Sequence, residues 1–247
     1  MEEVKKSFKY NTKLIAEAIL VAGVIVAGAI LLAGSKPPAD NAGAAAGTSD
    51  QSQNSAQSAQ PTVDPVTSAD ETLGNADAPV TVVMYEDYQC PFCEHFYRDG
   101  EKTIRSKYVP DGKVQFVYRD YTIIGPESTR AAEAAHCAGD QGKFWQYHDY
   151  LFDHQGQENG GTFSDANLKG FAKDLGLDTA AFNKCFDSNK YEQRITDEFQ
   201  SGNKAMPTAS DRFTPKGFIL KDGKLADIIQ GAQPSATISA QIDAVLK

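Results

Sequence analysis

The stretch DYQCPFCEHF, residues 87–96, contains two cysteines separated by two residues. Cys90 and Cys93 enclose only Pro91 and Phe92. A pair at this spacing can be a passive crosslink, half of a metal site or a working redox pair. The segments on either side of the pair, and the compartment in which the chain resides, distinguish these three interpretations.

The cysteines lie between two apolar segments. VTVVMY, residues 80–85, is rich in β-branched residues and predicts a buried strand. The apolar positions after the cysteines fit a helix that ends before Pro110, and VQFVY, residues 114–118, predicts the next strand. A strand, a helix and a strand within about 40 residues form a βαβ unit, so the two strands should be parallel and adjacent or nearly so.

Helical patterns recur from about residue 126 to about residue 204 without a strand pattern, which predicts an all-helical insertion. Two apolar segments, GFIL at 217–220 and LADII at 225–229, then flank an Asp-Gly turn, a pattern typical of an antiparallel hairpin. A final helix over residues 235–246 is expected to cover the sheet. The sequence therefore predicts an α/β fold with one helical subdomain inserted into it.

Cys90 falls where the first strand ends and the helix begins. Pro91 occupies the first helical position, where a missing N–H costs nothing. A thiol at this point faces unpaired backbone N–H groups and the positive end of the helix dipole, which favour its thiolate. Because the thiolate is the reacting form in disulfide exchange, Cys90 is the candidate nucleophile, and Cys93, one turn later, can resolve a mixed disulfide.

The two other interpretations of the pair have less support. A disulfide that closes so short a loop adds little loop-closure stabilisation. A zinc site needs two further ligands, usually another close pair, whereas Cys137 and Cys185 lie far apart in the chain. The redox interpretation is favoured, and the passive crosslink and the metal site are kept as alternatives.

The N-terminal part of the chain predicts a membrane anchor and a tether. Residues 14–34 form an apolar run long enough to span a bilayer as a helix, and lysines precede it, which places residues 1–13 in the cytoplasm. A cleaved signal peptide is the alternative. Residues 35–72, rich in Ala, Ser, Gln, Gly and Pro, predict a disordered, flexible linker. The folded domain, residues 73–247, would then lie in the periplasm or at the outer cell surface, where disulfides persist.

The charge balance argues against one class of partner. The chain has 24 Lys and Arg against 33 Asp and Glu, a formal net charge of −9, and its folded part has no basic run. Nucleic acid is therefore not an expected partner. We also expect no cofactor and no metal ion.

Two segments resemble a known family. DYQCPFC together with QGKFWQYHDYLF, residues 141–152, is similar to the DsbA-like thiol:disulfide oxidoreductases of the thioredoxin superfamily. The resemblance extends over about residues 74–247 and implies a thioredoxin fold with a helical insertion. It also implies that Cys90 and Cys93 are the catalytic pair.

The resemblance implies further site residues. Pro91 and Phe92 would support the active site from within the motif. A cis-proline is expected beside the cysteines and before the hairpin, which favours Pro215, with Pro207 as the competitor. The carbonyl and amide of Thr214 would then be free to pair with an extended substrate.

The chain departs from the family pattern at two positions. Relatives often carry an acidic residue six positions before the first cysteine, where this chain has Met84, and Glu86 or Asp87 could substitute for it. The position of Phe92 holds a histidine in the strongest oxidants, so one hydrogen-bond donor to the thiolate is missing. We therefore expect a less extreme oxidant.

The remaining cysteines and histidines lie mostly in the predicted insertion. Relatives with a cysteine pair at such positions imply a structural disulfide between Cys137 and Cys185, with a regulatory pair or free thiols as alternatives. The histidines have no ligand spacing, so surface or hydrogen-bonded structural roles are expected. Trp145 and its aromatic neighbours are expected in the core.

The function predicted from these features is that of a membrane-anchored extracytoplasmic oxidase of cysteine pairs in exported proteins. By analogy with the family, a quinone-linked membrane partner of the DsbB or vitamin K epoxide reductase type would reoxidise it. A disulfide reductase or isomerase is the first alternative. A peptide-binding chaperone module with structural cysteines is the second.

Overall fold

The computed structural model describes residues 60–247. The predicted cytoplasmic segment 1–13, the predicted anchor 14–34 and most of the predicted linker lie outside the described residues. Within residues 60–247, no helix combines the length and the apolar character needed to cross a membrane.

The described part of the chain contains a mixed sheet flanked by helices. Its strands are β1 (Glu71–Leu73), β2 (Val80–Glu86), β3 (Val114–Asp120), β4 (Lys216–Lys221) and β5 (Lys224–Gln230). Its α-helices are α1 (Pro91–Phe96), α2 (Lys102–Lys107), α3 (Pro126–Gly139), α4 (Phe144–Asp153), α5 (Asp165–Asp174), α6 (Thr179–Asp187), α7 (Glu192–Ala205) and α8 (Ser235–Leu246). A π-helical turn, Tyr97–Glu101, joins α1 to α2, and a short 3₁₀ turn, Ala209–Asp211, precedes β4.

The sheet has the strand order β1-β3-β2-β4-β5. β2 and β3 are parallel, which confirms the predicted βαβ unit, and the other pairs are antiparallel. Asp222 and Gly223 connect β4 to β5 with φ angles of 50° and 73°, the left-handed values that a two-residue hairpin turn requires. The insertion also matches its expected bounds, since α3 to α7 follow one another without an intervening strand.

Three apolar clusters hold these layers together. One lies between the sheet and the helices α1, α2 and α8, and includes Met84, Phe96 and Ile238. A second lies on the opposite face of the sheet, where Tyr121 and Met206 pack against β2 and β4. The third is the core of the helical insertion, and Cys90 and Cys93 belong to it. The predicted redox pair therefore lies where the insertion meets the sheet.

The folded part begins earlier than the predicted boundary at residue 73. Arg119 on β3, which is buried, donates to Asp70 at 2.6 Å and to the carbonyls of Asp64 and Pro65 at 3.0 Å. Lys204 forms an ion pair with Asp64 at 3.0 Å. Residues 60–72 are thus fixed to the domain rather than part of a free linker. The polar composition of these residues does not predict an ordered structure. Contacts with distant residues hold them in place instead.

The single helix expected after Cys93 is interrupted by the π-helical turn. A Cβ on Gly100 would lie 2.6 Å from Cδ1 of Ile238 and 2.7 Å from Cε2 of Phe96, so only glycine allows this close approach to α8. The wider turn leaves Glu101 fully buried. The spacing of apolar residues in the sequence could not reveal the extra residue that a π-helical turn inserts into the helix.

Two helical glycines give a matched test of the packing between α7 and the sheet. A Cβ on Gly202 would lie 2.5 Å from the buried ring of Tyr121, whereas a Cβ on Gly170 in α5 would meet no atom within 4 Å. We expect Gly202→Ala to lower the free energy of unfolding by about 1 to 3 kcal/mol through overpacking. Gly170→Ala should raise it by up to about 1 kcal/mol. Urea denaturation of both variants checks this, and equal signs would contradict it.

Candidate active site

Cys90 is the residue immediately before α1, at the end of the loop that follows β2. Pro91 occupies the first position of the helix, as predicted, and the backbone N–H groups of Cys93 and Glu94 donate to the carbonyl of Cys90. The side chain of Cys90 is 5% exposed and that of Cys93 is fully buried. Both are free thiols in this structure. One cysteine is thus within reach of a substrate, and the other lies behind it.

The surroundings of Cys90 favour its thiolate. A hydrogen bond from the Cys93 thiol makes the largest contribution to a lowered pKa, to about 6. The side chain of Thr214 and the backbone N–H groups of Cys93 and Phe92 add to it, while burial opposes it. The thiolate, the reactive form, is therefore favoured on Cys90 at neutral pH. The helix terminus predicted from the sequence contributes, but the hydrogen bond from Cys93, which no sequence pattern indicates, contributes more.

The surroundings of Cys93 do the opposite. Burial, the hydrogen bond that it donates to Cys90 and the nearby carboxyl of Glu86 raise its pKa well above that of ordinary cysteine. Cys93 therefore remains a thiol until a base accepts its proton. The two sulfurs, three residues apart, are held in opposite protonation states.

Strand alternation selects Glu86 over Asp87 as the acidic residue near the cysteines. Glu86 follows Met84 by two residues on β2, so both side chains point to the same face of the sheet, toward α1. Glu86 is fully buried, and neither carboxyl oxygen has a hydrogen-bond partner. Burial, followed by the proximity of Glu101 and Cys90, raises its pKa well above the usual value.

The carboxylate of Asp87 has a structural role in the loop that carries Cys90. Its carboxylate accepts hydrogen bonds from the backbone N–H groups of Gln89 at 2.8 Å, Ile123 at 2.9 Å and Ile124 at 3.1 Å. These bonds join the loop that carries Cys90 to the segment after β3. Asp87 therefore positions the active-site loop.

The Thr214–Pro215 segment lies beside the cysteines. The peptide bond between these two residues is cis, whereas among the described residues Pro207 does not follow a cis bond. The carbonyl oxygen of Thr214 lies 3.4 Å from Sγ of Cys90. The structure thus brings Thr214, Pro215 and the cysteine pair together across 124 residues of chain.

An open groove borders this site. It has a volume of about 880 Å³, and its walls come from the start of α1, the segment before Pro215 and the loop between β5 and α8. Phe92, which is 65% exposed, lines it together with Pro91, Phe213 and Pro234. The helical spacing of Phe92, Phe96, Ile104 and Tyr108 predicts that Phe92 lies on the inward face of the helix. The structure instead turns it to solvent, because the adjacent Cys93 occupies the inward position.

The helical insertion holds the active-site loop from the other side. Nε2 of Gln155, which follows α4, donates to the carbonyl of Tyr88 at 2.7 Å and to that of Cys90 at 3.0 Å. The backbone N–H of Asn159 donates to Gln89 at 2.6 Å. Sequence reasoning missed these contacts, because an exposed-looking glutamine in a loop carries no pattern that reveals its partners.

The other predicted residues lie away from the groove. Cys137 on α3 and Cys185 on α6 are joined by a disulfide in the core of the insertion. His136 is buried between Asp120 at 2.7 Å and Glu71 at 3.3 Å. Burial opposes the protonation of this imidazole, but the two carboxylates outweigh it and raise its pKa to about 9. This buried ion cluster joins the insertion to β1 and β3.

The Thr214 hydroxyl gives a test of the electrostatics around Cys90. Thr214→Val keeps the shape and the carbonyl but removes one hydrogen bond to the thiolate. Losing such a bond should cost on the order of 1 to 2 kcal/mol and raise the pKa of Cys90 by about one unit. Absorbance of the reduced protein at 240 nm as a function of pH measures this. An unchanged titration would show that the hydroxyl does not stabilise the thiolate.

The chain is similar to one family model and to several known proteins. Residues 67–244 match a family model described as thioredoxin. The Na(+)/H(+) antiporter NhaA 1 of Salinispora arenicola is 33% identical over 150 residues, which are 60% of this chain and 22% of that protein. Disulfide bond formation protein D of Bacillus subtilis is 36% identical over 104 residues, which are 41% of this chain and 45% of that protein. The matched region is thus less than half of either relative.

A solved structure has the same fold. The crystal structure of alpha-DsbA1 from Wolbachia pipientis matches with a TM-score of 0.64 and 23% identity, over 73% of this chain and 92% of that chain. The family model covers more than half of the chain and includes the cysteine motif, the insertion and the hairpin. The chain therefore belongs to the thioredoxin family, and its resemblance to the DsbA-like members of that superfamily is confirmed.

Proposed function

We propose that the chain is a thiol:disulfide oxidoreductase that oxidises cysteine pairs in exported proteins through Cys90 and Cys93. One observation carries this proposal: the more accessible sulfur, that of Cys90, has a pKa lowered to about 6, and the fully buried sulfur of Cys93 has a raised pKa. A stable thiolate on Cys90 makes it a good leaving group, which favours transfer of the disulfide to a client.

The reaction consists of two thiol–disulfide exchanges. A client thiolate attacks Sγ of Cys90 in the oxidised pair, a client–Cys90 bond forms, and Cys93 leaves with the electron pair of the broken bond. A second client thiolate then attacks the client sulfur of this mixed disulfide, and Cys90 leaves as its thiolate. The client is oxidised by two electrons, and the protein holds the reduced pair.

Glu86 supplies the proton for the first exchange. Burial raises its pKa and so favours the protonated carboxyl, and it lies close enough to Cys93 to act on the pKa of that thiol. As Cys93 departs as a thiolate, Glu86 protonates it. In the reverse direction, the ionised carboxylate accepts the proton of Cys93.

The groove beside Phe92 receives the client. Its exposed aromatic wall suits an apolar segment next to the reacting cysteine, and Thr214 offers its backbone to an extended chain. The protein then needs an oxidant for the reduced pair. A quinone-linked membrane protein of the DsbB or vitamin K epoxide reductase type would fill this role by analogy with the family.

The proposed location is the outer side of the cytoplasmic membrane. The apolar residues 14–34 would anchor the chain, with residues 1–13 on the cytoplasmic side. The disulfide between Cys137 and Cys185 supports this location, since such bonds persist in oxidising compartments.

The test mixes the oxidised protein with a reduced two-cysteine peptide. One peptide disulfide should form for each protein molecule, matched by two new thiols on Cys90 and Cys93, and Cys90→Ser should form none. Undiminished client folding by Cys90→Ser would instead assign the chain to the peptide-binding chaperones.

The reduction potential separates an oxidase from a reductase. Equilibration with glutathione should give a value between about −230 and about −120 mV, above the roughly −270 mV of thioredoxin. A value at or below that of thioredoxin would assign the chain to the disulfide reductases.

A further inference from the structure

Glu86 has no direct contact with solvent, and the proposed function requires it to give up and regain a proton in each cycle. Its side chain and that of Cys93 are both fully buried. In the loop that follows Glu86, the carbonyls of Tyr88 and Cys90 accept hydrogen bonds from Gln155. A proton from Glu86 must therefore leave the domain by some other route.

Glu101, His148 and Asp149 form a cluster of polar groups, and its buried member Glu101 acts electrostatically on Glu86. Glu101, on the π-helical turn, is the charged group with the strongest influence on Glu86. Its Oε2 atom has no hydrogen-bond partner and lies 3.7 Å from Nε2 of His148, which also has none. Two orphaned polar atoms thus face each other inside the protein, although such atoms are normally paired.

His148 continues this cluster toward the surface. Its imidazole is fully buried, and its Nδ1 atom lies 3.0 Å from Oδ1 of Asp149. The side chain of Asp149 is 36% exposed. An imidazole between two carboxyl groups can accept a proton on one nitrogen and release one from the other.

The pKa shifts of Glu101 and Asp149 are consistent with a path for protons from the interior to the surface. Burial raises the pKa of Glu101. Burial also acts on Asp149, but hydrogen bonds from His148 and Arg105 outweigh it and lower its pKa. Protons are therefore held tightly inside and weakly at the exit.

The same residues do not suit a metal ion. Glu101, His148 and Asp149 each offer a ligand atom within 4.8 Å of the others. Arg105, however, already donates to Glu101 at 2.8 Å and to Asp149 at 2.6 Å. A second cation at this point would be repelled by the guanidinium, whereas a proton can pass along neutralised carboxyl groups.

The remaining groups that face His148 are aromatic. The rings of Tyr88, Tyr97 and Tyr118 lie 5.7, 5.8 and 4.9 Å from the imidazole. Burial raises the pKa of each of these tyrosines, so they stay neutral. The groups near the imidazole that can exchange protons with it are thus the carboxyls of Glu101 and Asp149, and Arg105 donates hydrogen bonds to both.

We infer that Glu86, Glu101, His148 and Asp149 form a proton relay that connects Cys93 to solvent beside Arg105. When the dithiol is oxidised, the proton of Glu86 passes to Glu101 and then to Nε2 of His148, each time through a bridging water molecule, since neither pair is in direct hydrogen-bond contact. The Nδ1 proton leaves through Asp149. The deprotonated carboxylate of Glu86 then accepts the proton of Cys93. In client oxidation each proton moves in the opposite direction. Proton release and client binding thus occur at different surfaces of the domain.

The experiment follows the reaction of the reduced protein with oxidised glutathione. The Cys90 thiolate attacks glutathione disulfide and one glutathione leaves. The Cys93 thiolate then attacks Cys90, the protein disulfide forms and the second glutathione leaves. This second step requires deprotonation of Cys93. Its first-order rate can be measured by acid quenching and mass spectrometry of the Cys90–glutathione adduct.

His148→Gln should slow this second step at pH 7 by about tenfold or more, since general acid–base transfer typically contributes a larger factor. The rate in the variant should rise with hydroxide concentration and approach the wild-type rate at high pH. His136→Gln is the matched control, because it also removes a buried imidazole but lies off the route. The first step, at Cys90, should be unchanged in both variants.

Equal second-step rates in His148→Gln and His136→Gln at every pH would overturn the relay. If His148→Gln does not fold, Asp149→Asn at the partly exposed end replaces it, with the same slowing expected and a wild-type rate as the contradicting result. Failure of the wild-type protein to form the Cys90–glutathione adduct would overturn the proposed function, and the relay with it. A wild-type protein that reacts normally beside an unaffected His148→Gln overturns the relay alone.

Discussion

Cys93→Ser should accumulate a covalent complex between Cys90 and each client protein. Serine at position 93 cannot attack the mixed disulfide, so the intermediate has no internal route to resolution. Cys90 remains a competent nucleophile in this variant, although the hydrogen bond from the Cys93 thiol that helps to lower its pKa is replaced by one from a hydroxyl. Non-reducing gel electrophoresis and mass spectrometry of the trapped species would identify the clients and the bonded sulfur.

Two controls make this result specific. Cys90→Ser should trap no client, because Cys93 is fully buried and carries a raised pKa. Cys137→Ala/Cys185→Ala with Cys90 and Cys93 intact should trap no more than the wild-type protein. Complexes joined through Cys93 would show that the roles of the two sulfurs are reversed.

Removal of the disulfide in the insertion should have the largest effect on stability. The bond between Cys137 and Cys185 spans 48 residues. In the chain-entropy model such a loop contributes about 4 kcal/mol to the free energy of unfolding. Cys137→Ala/Cys185→Ala should therefore lower that free energy by about this amount, measured by guanidinium denaturation. The pKa of Cys90 should stay near its wild-type value, since neither alanine lies beside the groove.

The matched comparison is the wild-type protein in which only the Cys90–Cys93 pair is reduced. A double variant as stable as this protein would show that the disulfide does not hold the insertion together. A large shift in the Cys90 titration would contradict the separation of the two cysteine pairs.

Much of the fold could be predicted from local sequence patterns. The apolar runs that became β2 and β3, the Asp222-Gly223 turn and the five helices of the insertion all express their structure within a few neighbouring residues. The same is true of Cys90, because the end of a strand and a following proline mark the start of a helix. These features depend on short-range periodicity and on turn chemistry, which a single sequence contains.

Other features depend on contacts between distant segments. β1 has three residues, too few for a periodic pattern, and it exists because it pairs with β3. The π-helical turn depends on the approach of α8 to Gly100. In the sequence, Glu101 and His148 have no feature that distinguishes them from other helical residues. Only the folded structure places them together. Glu86 is an intermediate case: strand alternation relates it to Met84, but the choice between Glu86 and Asp87 at the end of the strand stayed open until the structure placed both side chains.

The early start of the folded part has a consequence for any shortened version of this protein. β3 is a strand of seven residues that are all buried, and β1 hydrogen-bonds to the side of it that β2 leaves open. A chain that begins at Gly74 would expose that side, with free amide and carbonyl groups beside large apolar side chains. Such a surface is a template for strands of other molecules, and the shortened protein is expected to aggregate.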